Sequence, residues 1–452
     1  MNLIRKTITV LLLLLVAFVL QPSEAQAATT YNNGDVIEIN SDEPIDRLYI
    51  IWDNIPGEWT LTVDGQEFTY GTFECIHEYV EPGVSGTNWK ITIHKDNVLL
   101  NKVNTFNVGE ALPDWVQIWN PPCEDADMVV FPTHADDELL FFAGTLPVYA
   151  GELKMAVQVV YLTHHWANGP HRVHELLNGL WTCGVTNYPI IGPFPDLYSK
   201  NNLEQAKGMY DTEAIKEFQT WVLRRFKPEV LIGHDINGEY GHSVHMLNTA
   251  MMMESVLLAN DPEYMPEDVE KYGVWNLPKW YIHLYEENRL TFMWDEPLEA
   301  FDGKTGYEVA TEAYQCHASQ IKYNPVILRD DSNMSCLYFG LYRSTVGEDV
   351  VKDSFFENIT VFSDDVIEEP EEPSTEPSTE PDINSEPDAE NKPNEDENSA
   401  DTNTGEKPSG NMDTTQTSQK NEIKRIIAIS VVVVVVIMAV ICIIRRKKNT
   451  LK

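Results

Sequence analysis

Positive charge is scarce in this sequence. Against 71 Asp and Glu stand 32 Lys and Arg, a formal net charge of -39. No basic patch breaks the acidic background before the C-terminal end, so a polyanionic partner such as nucleic acid is not expected. Cysteine is sparse as well, with six in 452 residues. Cys75, Cys123, Cys183, Cys316 and Cys336 precede the last apolar run, and this odd number without CxxC spacing argues against a disulfide framework or a thiolate zinc site, although one pair could still bridge. No GxSxG elbow is present, which removes the main support for a serine-type α/β hydrolase. No LPxTG pentapeptide is present either, so plain membrane anchoring is expected rather than wall sorting.

What is present at the two ends points to export. Arg5 and Lys6, an apolar run from Ile8 to Leu20 and the small-residue site Ala25-Gln26-Ala27 make residues 1–27 a signal peptide. Residues 425–444 are almost wholly apolar, close to the ~20 needed for a membrane helix, and the basic tail 445–452 would stay inside. The expected localisation is therefore a single-pass cell membrane protein with an extracellular ectodomain. Residues 363–424, rich in Pro, Glu, Ser and Thr, read as a disordered, self-repelling linker that carries much of the net charge.

Between these ends the texture changes once. Residues 28–112 hold short β-branched and aromatic runs such as DVIEIN, RLYIIWD, WTLTV and QEFTY, with Asp64-Gly65 as a hairpin signal. A small all-β sandwich is expected, and Trp52, Trp59 and Trp89 stand either in its core or on a glycan-binding face. Residues 113–362 alternate strand and helix. ADMVVF, MAVQVVYLT and EVLIG read as buried strands, LLFFAGTLPVYA and TEAIKEFQTWVLRRF as helices, and HRVHELLNGLWTCGV as an amphipathic helix ending at Gly184. Repeated βαβ units predict a Rossmann-like, mostly parallel sheet with helices on both faces and ligands at the carboxyl ends of strands.

Two of those strand ends are densely polar. FPTHADDELLFFAGT (residues 131–145) sets His134 and three consecutive acids, Asp136, Asp137 and Glu138, after ADMVVF. Adjacent carboxylates repel unless a positive charge sits among them. GHDINGEYGHSVHMLNTA follows EVLIG, and there His242 and His245, three apart at a helix entry, share a face. A histidine, a carboxylate and a second histidine with an open position form the ligand set of a catalytic zinc site. Taken singly, each piece has an ordinary explanation. DDE can cap a helix, GHSVH can be two surface histidines, Arg172 with Glu175 can be an i, i+3 ion pair, and His317 with Gln320 can cap a helix end.

Together, and in this order, the motifs resemble those of the LmbE/PIG-L family of zinc-dependent N-deacetylases. Thr133-His134-Ala135-Asp136-Asp137-Glu138 matches the family's (P/A)HPDDE. Arg172-Val173-His174-Glu175, followed by Cys183-Gly184-Val185, matches its RxxE helix; Gly241-His242-Ser243-Val244-His245 matches GHxxH; His317-Ala318-Ser319-Gln320 matches HxSQ. The resemblance spans about residues 125–320. It implies Zn2+ held by His134, Asp137 and His245, Asp136 as general base, His242 stabilising the oxyanion or protonating the departing amine, and Arg172 as a substrate clamp. It implies removal of acetyl from an N-acetylated amino sugar of the N-acetylglucosamine type, and the exported layout points to an envelope or extracellular glycan. Iron or cobalt would suit the same ligands.

Three features depart from the family pattern. Ala135 and Thr133 replace the usual proline and small residue, and His164-His165-Trp166 stands where many members have a polar stretch, which implies a different pocket. Asp235 and Glu239 either tune His242 or are simply solvated. The alternative function is a non-catalytic surface glycan-binding or adhesion protein with a degenerate deacetylase domain. Retention of Asp136 speaks against it.

Overall fold

The computed structural model describes residues 29–32, 34–198, 202–290 and 294–360. All of them belong to one compact unit, residues 1–367; the second unit, from residue 368, lies outside the described residues, as do segment 1–27, the acidic linker, the apolar run 425–444 and the basic tail. The expected membrane-tethered localisation is corrected. Among the described residues no helix is long and apolar enough to cross a membrane. The longest of them, Ser243–Leu258, has 16 residues and at 1.5 Å per residue reaches about 24 Å, short of a ~30 Å hydrocarbon core.

Seven strands occupy residues 29–107: β1 (Thr29–Asn32), β2 (Val36–Trp52), β3 (Trp59–Val63), β4 (Gln66–Tyr70), β5 (His77–Val80), β6 (Gly86–Ile93) and β7 (Leu100–Asn107). Hydrogen bonding joins them into one sheet through β2. DVIEIN and RLYIIWD are thus one long strand rather than two. A register break between Asn40 and Ile45 lets its first half pair with β1 and β6 and its second half with β5 and β7. Asp64 and Gly65 form the expected hairpin turn between β3 and β4, at φ 44° and 94°, the left-handed pair that Asp-Gly tolerates best. Trp52, Trp59 and Trp89 are fully buried. They fill the core and present no face to a glycan.

The remainder is built around a six-stranded sheet. Its strands are β8 (Met128–Val130), β9 (Val157–His164), β10 (Ile190–Pro195), β11 (Val230–Gly233), β12 (Lys279–His283) and, after a short hairpin β13–β14 (Pro297–Leu298, Lys304–Thr305), β15 (Phe339–Ser344). The order is β10-β9-β8-β11-β12-β15, parallel except for the antiparallel edge strand β15. Strand side chains alternate between two apolar layers. Val130, Val159 and Ile232 pack toward α2 (His171–Thr182) and α7 (Gly306–Tyr314). Val129, Val160 and Leu231 pack toward α4 (Thr212–Phe226) and α5 (Ser243–Leu258). Helices therefore cover both faces. The chain crosses from β8 to β9 on one side and returns to β11 on the other, so the carboxyl ends of β8 and β11 border the crevice where ligands of such sheets bind.

One predicted helix breaks. In LLFFAGTLPVYA only a single turn forms, α1 (Asp137–Leu140), before the chain turns and resumes as a π-helical segment, Pro147–Glu152. Gly144 backs onto the Trp294 indole, leaving no room for a Cβ, and Pro147 lacks the N–H that a continuous helix needs. By contrast α2 ends with Gly184 at φ 80°, as its sequence indicates.

The two sheets share one apolar core, in which Ile50, Trp59 and Ile91 cluster with Val159, Leu177 and Ala313. Polar contacts pin the seam. The His77 Nε2 lies 2.8 Å from His174 Nδ1 on α2, and the far nitrogen of His174 lies 3.2 Å from Asp53. Burial, with the neighbouring His174 adding to it, pushes His77 down to about 3. Cys75, Cys123, Cys183, Cys316 and Cys336 are all free thiols.

Candidate metal centre

The turn after β8 begins the site. His134 Nδ1 lies 3.1 Å from Asp137 Oδ2 and 3.0 Å from His245 Nε2, and that Nε2 lies 3.2 Å from the same carboxylate oxygen. These separations match those of donors about one metal: ligands at ~2.0–2.1 Å in a tetrahedral shell stand roughly 3.3 Å apart. All three side chains are buried. A divalent cation resolves the oddity of the acidic run, because it supplies the positive charge that a single helical turn of α1 is too short to provide through its dipole. Burial opposes charge on Asp137, but His245 and His134 outweigh it and hold its carboxyl well below the ordinary range.

Neighbouring groups fix which atoms face inward. Glu239 is fully buried and accepts from three imidazoles: His245 Nδ1 at 2.7 Å, His234 Nδ1 at 2.8 Å and His283 Nδ1 at 2.7 Å. Donation from Nδ1 leaves the His245 Nε2 lone pair free for a metal, the arrangement by which carboxylates orient ligating histidines. His234 Nε2 also approaches Asp137, at 3.4 Å, yet it already accepts the Thr133 N–H at 2.9 Å, so His234 serves as a strut for the turn. The Glu239 carboxylate is neither solvated nor bonded to the His242 ring, contrary to both options open in the sequence; only its backbone carbonyl meets His242, accepting that residue's N–H at 3.0 Å. No local signal could have announced a carboxylate shared by residues at two different strand ends and a helix start.

Asp136 stands beside the ligands at φ 139°, a conformation rarely adopted by a residue with a side chain. Three contacts hold it there. Its N–H donates to Glu138 Oε2 at 2.8 Å; the Arg172 guanidinium grips the Ala135 carbonyl and lies 3.5 Å from Asp136 Oδ1; and His317 Nε2, 2.8 Å from Glu138 Oε1, braces Glu138 in turn. Glu175 accepts both the N–H and the hydroxyl of Ser319, at 2.8 and 2.6 Å. All four sequence motifs therefore meet in one constellation. Burial, and then the charge of Asp137, push the Asp136 carboxyl up to about 7.

His242 lies across the site, its ring 4.8 Å from His134 and 4.5 Å from His245. Burial and those two imidazoles lower it to about 3, and its buried Nδ1 has no hydrogen-bond partner. A neutral ring suits donation of a hydrogen bond. Tyr240, at φ 47° and partly exposed, faces His242 from 5.5 Å, and Tyr198 faces it from 6.1 Å. His165 accepts the Ala135 N–H at 3.1 Å and sits 3.3 Å from Asp196, whose other oxygen is 3.4 Å from His134 Nε2. His165 thus supports the turn. Asp196, Tyr198 and His283 were missed in the sequence, since each stands far from the motifs, and Tyr240, which directly precedes GHSVH, was missed because no spacing singles it out.

No family model matches the chain. Curated relatives do. The chain is 26% identical over 214 residues to a 1D-myo-inositol 2-acetamido-2-deoxy-alpha-D-glucopyranoside deacetylase of Catenulispora acidiphila, covering 42% of this chain and 64% of that one. It is 27% identical over 168 residues to the like-named deacetylase of Streptomyces avermitilis, covering 32% and 57%. The match thus spans less than two thirds of either relative. The resemblance to LmbE/PIG-L deacetylases read from the motifs is borne out by these relatives. Among solved structures, the N,N'-diacetylchitobiose deacetylase of Pyrococcus horikoshii aligns at TM-score 0.31 and 18% identity, over 45% of this chain and 76% of that one.

Proposed function

We propose that this protein is a zinc-dependent amidohydrolase that removes the acetyl group from an N-acetylated amino sugar, with residues 113–362 as a Rossmann-like catalytic domain and residues 28–112 as an all-β sandwich packed against it. One observation supports it above others: His134 Nδ1, Asp137 Oδ2 and His245 Nε2 converge within 3.0–3.2 Å of one another beside a carboxylate that is itself no ligand. The curated relatives, deacetylases of a 2-acetamido sugar by name, supply the substrate class.

In this reading His134, Asp137 and His245 hold the ion, which contributes Lewis acidity and makes water a stronger acid. Asp136 is the general base. Its carboxyl, raised to about 7 by burial and by Asp137, takes a proton from the attacking water and is aimed by Arg172 and the Glu138–His317 pair. His242, neutral and with Nδ1 unpartnered, donates a hydrogen bond to the oxygen that gains charge as the amide carbon becomes tetrahedral. Asp136, protonated by then, passes its proton to the leaving nitrogen. Arg172, 3.5 Å from Asp136 Oδ1, is the clamp for a sugar hydroxyl.

The test is metal content and acetate release together. The purified protein carries one zinc per chain and releases acetate from N-acetylglucosamine oligosaccharides; His245→Ala loses the metal; Asp136→Asn keeps it and loses at least a hundredfold in turnover. A metal-free protein that takes up no added zinc, or an Asp136→Asn variant with wild-type turnover, overturns the proposal.

A further inference from the structure

Beyond the metal centre, a cavity of about 520 Å³ opens on the same edge of the parallel sheet. Asp235 stands two residues after β11 and Leu284 directly follows β12, and both line it with Asn237, Glu286, Arg289, Asp331, Asn333 and Tyr338. The cavity shares a wall with the catalytic loop. Gly238 backs so closely onto the His242 carbonyl that no Cβ fits, and the Asn333 carbonyl accepts the N–H of Tyr240. Asn237 on the cavity side is therefore one residue from the backbone contact with His242.

The chemistry of the lining selects the ligand. Three carboxylates against one guanidinium disfavour an anion. The Arg289 guanidinium, held 4.5 Å over the Tyr338 ring, disfavours a divalent cation. Asp235 is more than nine-tenths buried, and Asp331 is held by the Tyr338 hydroxyl at 2.7 Å, so both acceptors are fixed in place. Asn237 and Asn333 add groups that both donate and accept. Fixed carboxylates, amides and one guanidinium suit a neutral ligand rich in hydroxyls, whose donors make charge-assisted bonds to carboxylate oxygens.

We propose that this cavity is a second sugar subsite, so that the substrate is an oligosaccharide whose N-acetylated residue lies at His242 while an adjoining ring lies against Asp235, Asn237, Arg289 and Asn333. The proposal rests on the deacetylase function above, and the experiment separates the two. The double variant Asn237→Ala/Arg289→Ala removes surface-facing donors without touching the metal centre. Its kcat/KM is compared with wild type on N-acetylglucosamine and on its β-linked trisaccharide, and trisaccharide binding is titrated by calorimetry on both proteins. The expected result is at least a tenfold loss on the trisaccharide, carried mainly by KM, with less than a twofold change on the monosaccharide and a matching loss of trisaccharide affinity. Equal losses on both sugars, or no loss on the trisaccharide, overturn the subsite while leaving deacetylation standing. If neither sugar is hydrolysed, the titration decides alone: weaker binding by the variant supports the subsite and equal binding overturns it.

Discussion

At the scale of single residues, the centre depends on one carboxylate outside the motifs. Glu239 accepts from His245, His234 and His283 at 2.7–2.8 Å, and its carboxyl is held well below the ordinary carboxylate range, against the opposing effect of burial, chiefly by His234. Glu239→Gln keeps the shape but replaces one acceptor oxygen with a donor, so at least one imidazole loses its partner and His245 loses its enforced tautomer. Metal affinity is expected to fall about 10–100-fold, read by competition with a chromogenic chelator. An unchanged affinity would mean that His245 is oriented by packing alone. His134, Asp136, Asp137, His242 and His245 were legible in the sequence because each motif is local, and a few consecutive residues at a strand end carry its chemistry. Glu239 was visible only as an acid near a histidine. Its partners lie 5, 6 and 44 positions away, a pattern without period.

At the scale of elements, the loop between β11 and α5 does the most with the least chain. It doubles back at Gly238, at φ 66°, to send Glu239 inward, Tyr240 over the site and His242 across it. Gly238→Ala meets both a left-handed backbone and the His242 carbonyl. We expect a loss of about 1–3 kcal/mol in stability and a fall in kcat as His242 is displaced, checked by thermal unfolding and by steady-state turnover. Wild-type values for both would show that the loop relaxes freely. Element prediction from periodicity succeeded where one apolar face meets one core, as in α2 and α4. It failed at LLFFAGTLPVYA, where every large residue is buried and the spacing alone cannot reveal that Trp294 presses on Gly144.

At the scale of the whole molecule, the seven-stranded sheet and the parallel sheet are locked by a buried polar seam. His77 is almost fully buried and titrates near 3 in the fold, against an ordinary value of ~6.5 when unfolded. The unfolded chain therefore binds a proton that the folded chain refuses. Stability from this group is intact above about pH 6.5 and declines as the pH falls toward 3, by roughly 1.4 kcal/mol per unit. His77→Gln removes that titration. Its urea midpoint at pH 7 is expected to be at or below that of the wild type, and the loss between pH 7 and 4.5 smaller by roughly 2–3 kcal/mol. Parallel pH profiles for the two proteins would place the acid sensitivity elsewhere.

The sequence by itself determined the alternation of strands and helices, the hairpin at Asp64-Gly65 and the histidines and acids that gather at the candidate metal centre, because these depend on neighbours along the chain: side-chain period, turn conformation and ligand spacing. The tertiary structure alone decided that one 17-residue strand serves both halves of the first sheet, that three tryptophans are core, that Glu239 rather than solvent completes the histidines, and that a polar cavity is lined by Asn237 of the loop that leads to His242. Those outcomes depend on which groups, distant in sequence, lose water together. A buried carboxylate can persist only where the fold brings enough donors to it, and no local pattern records where they come from.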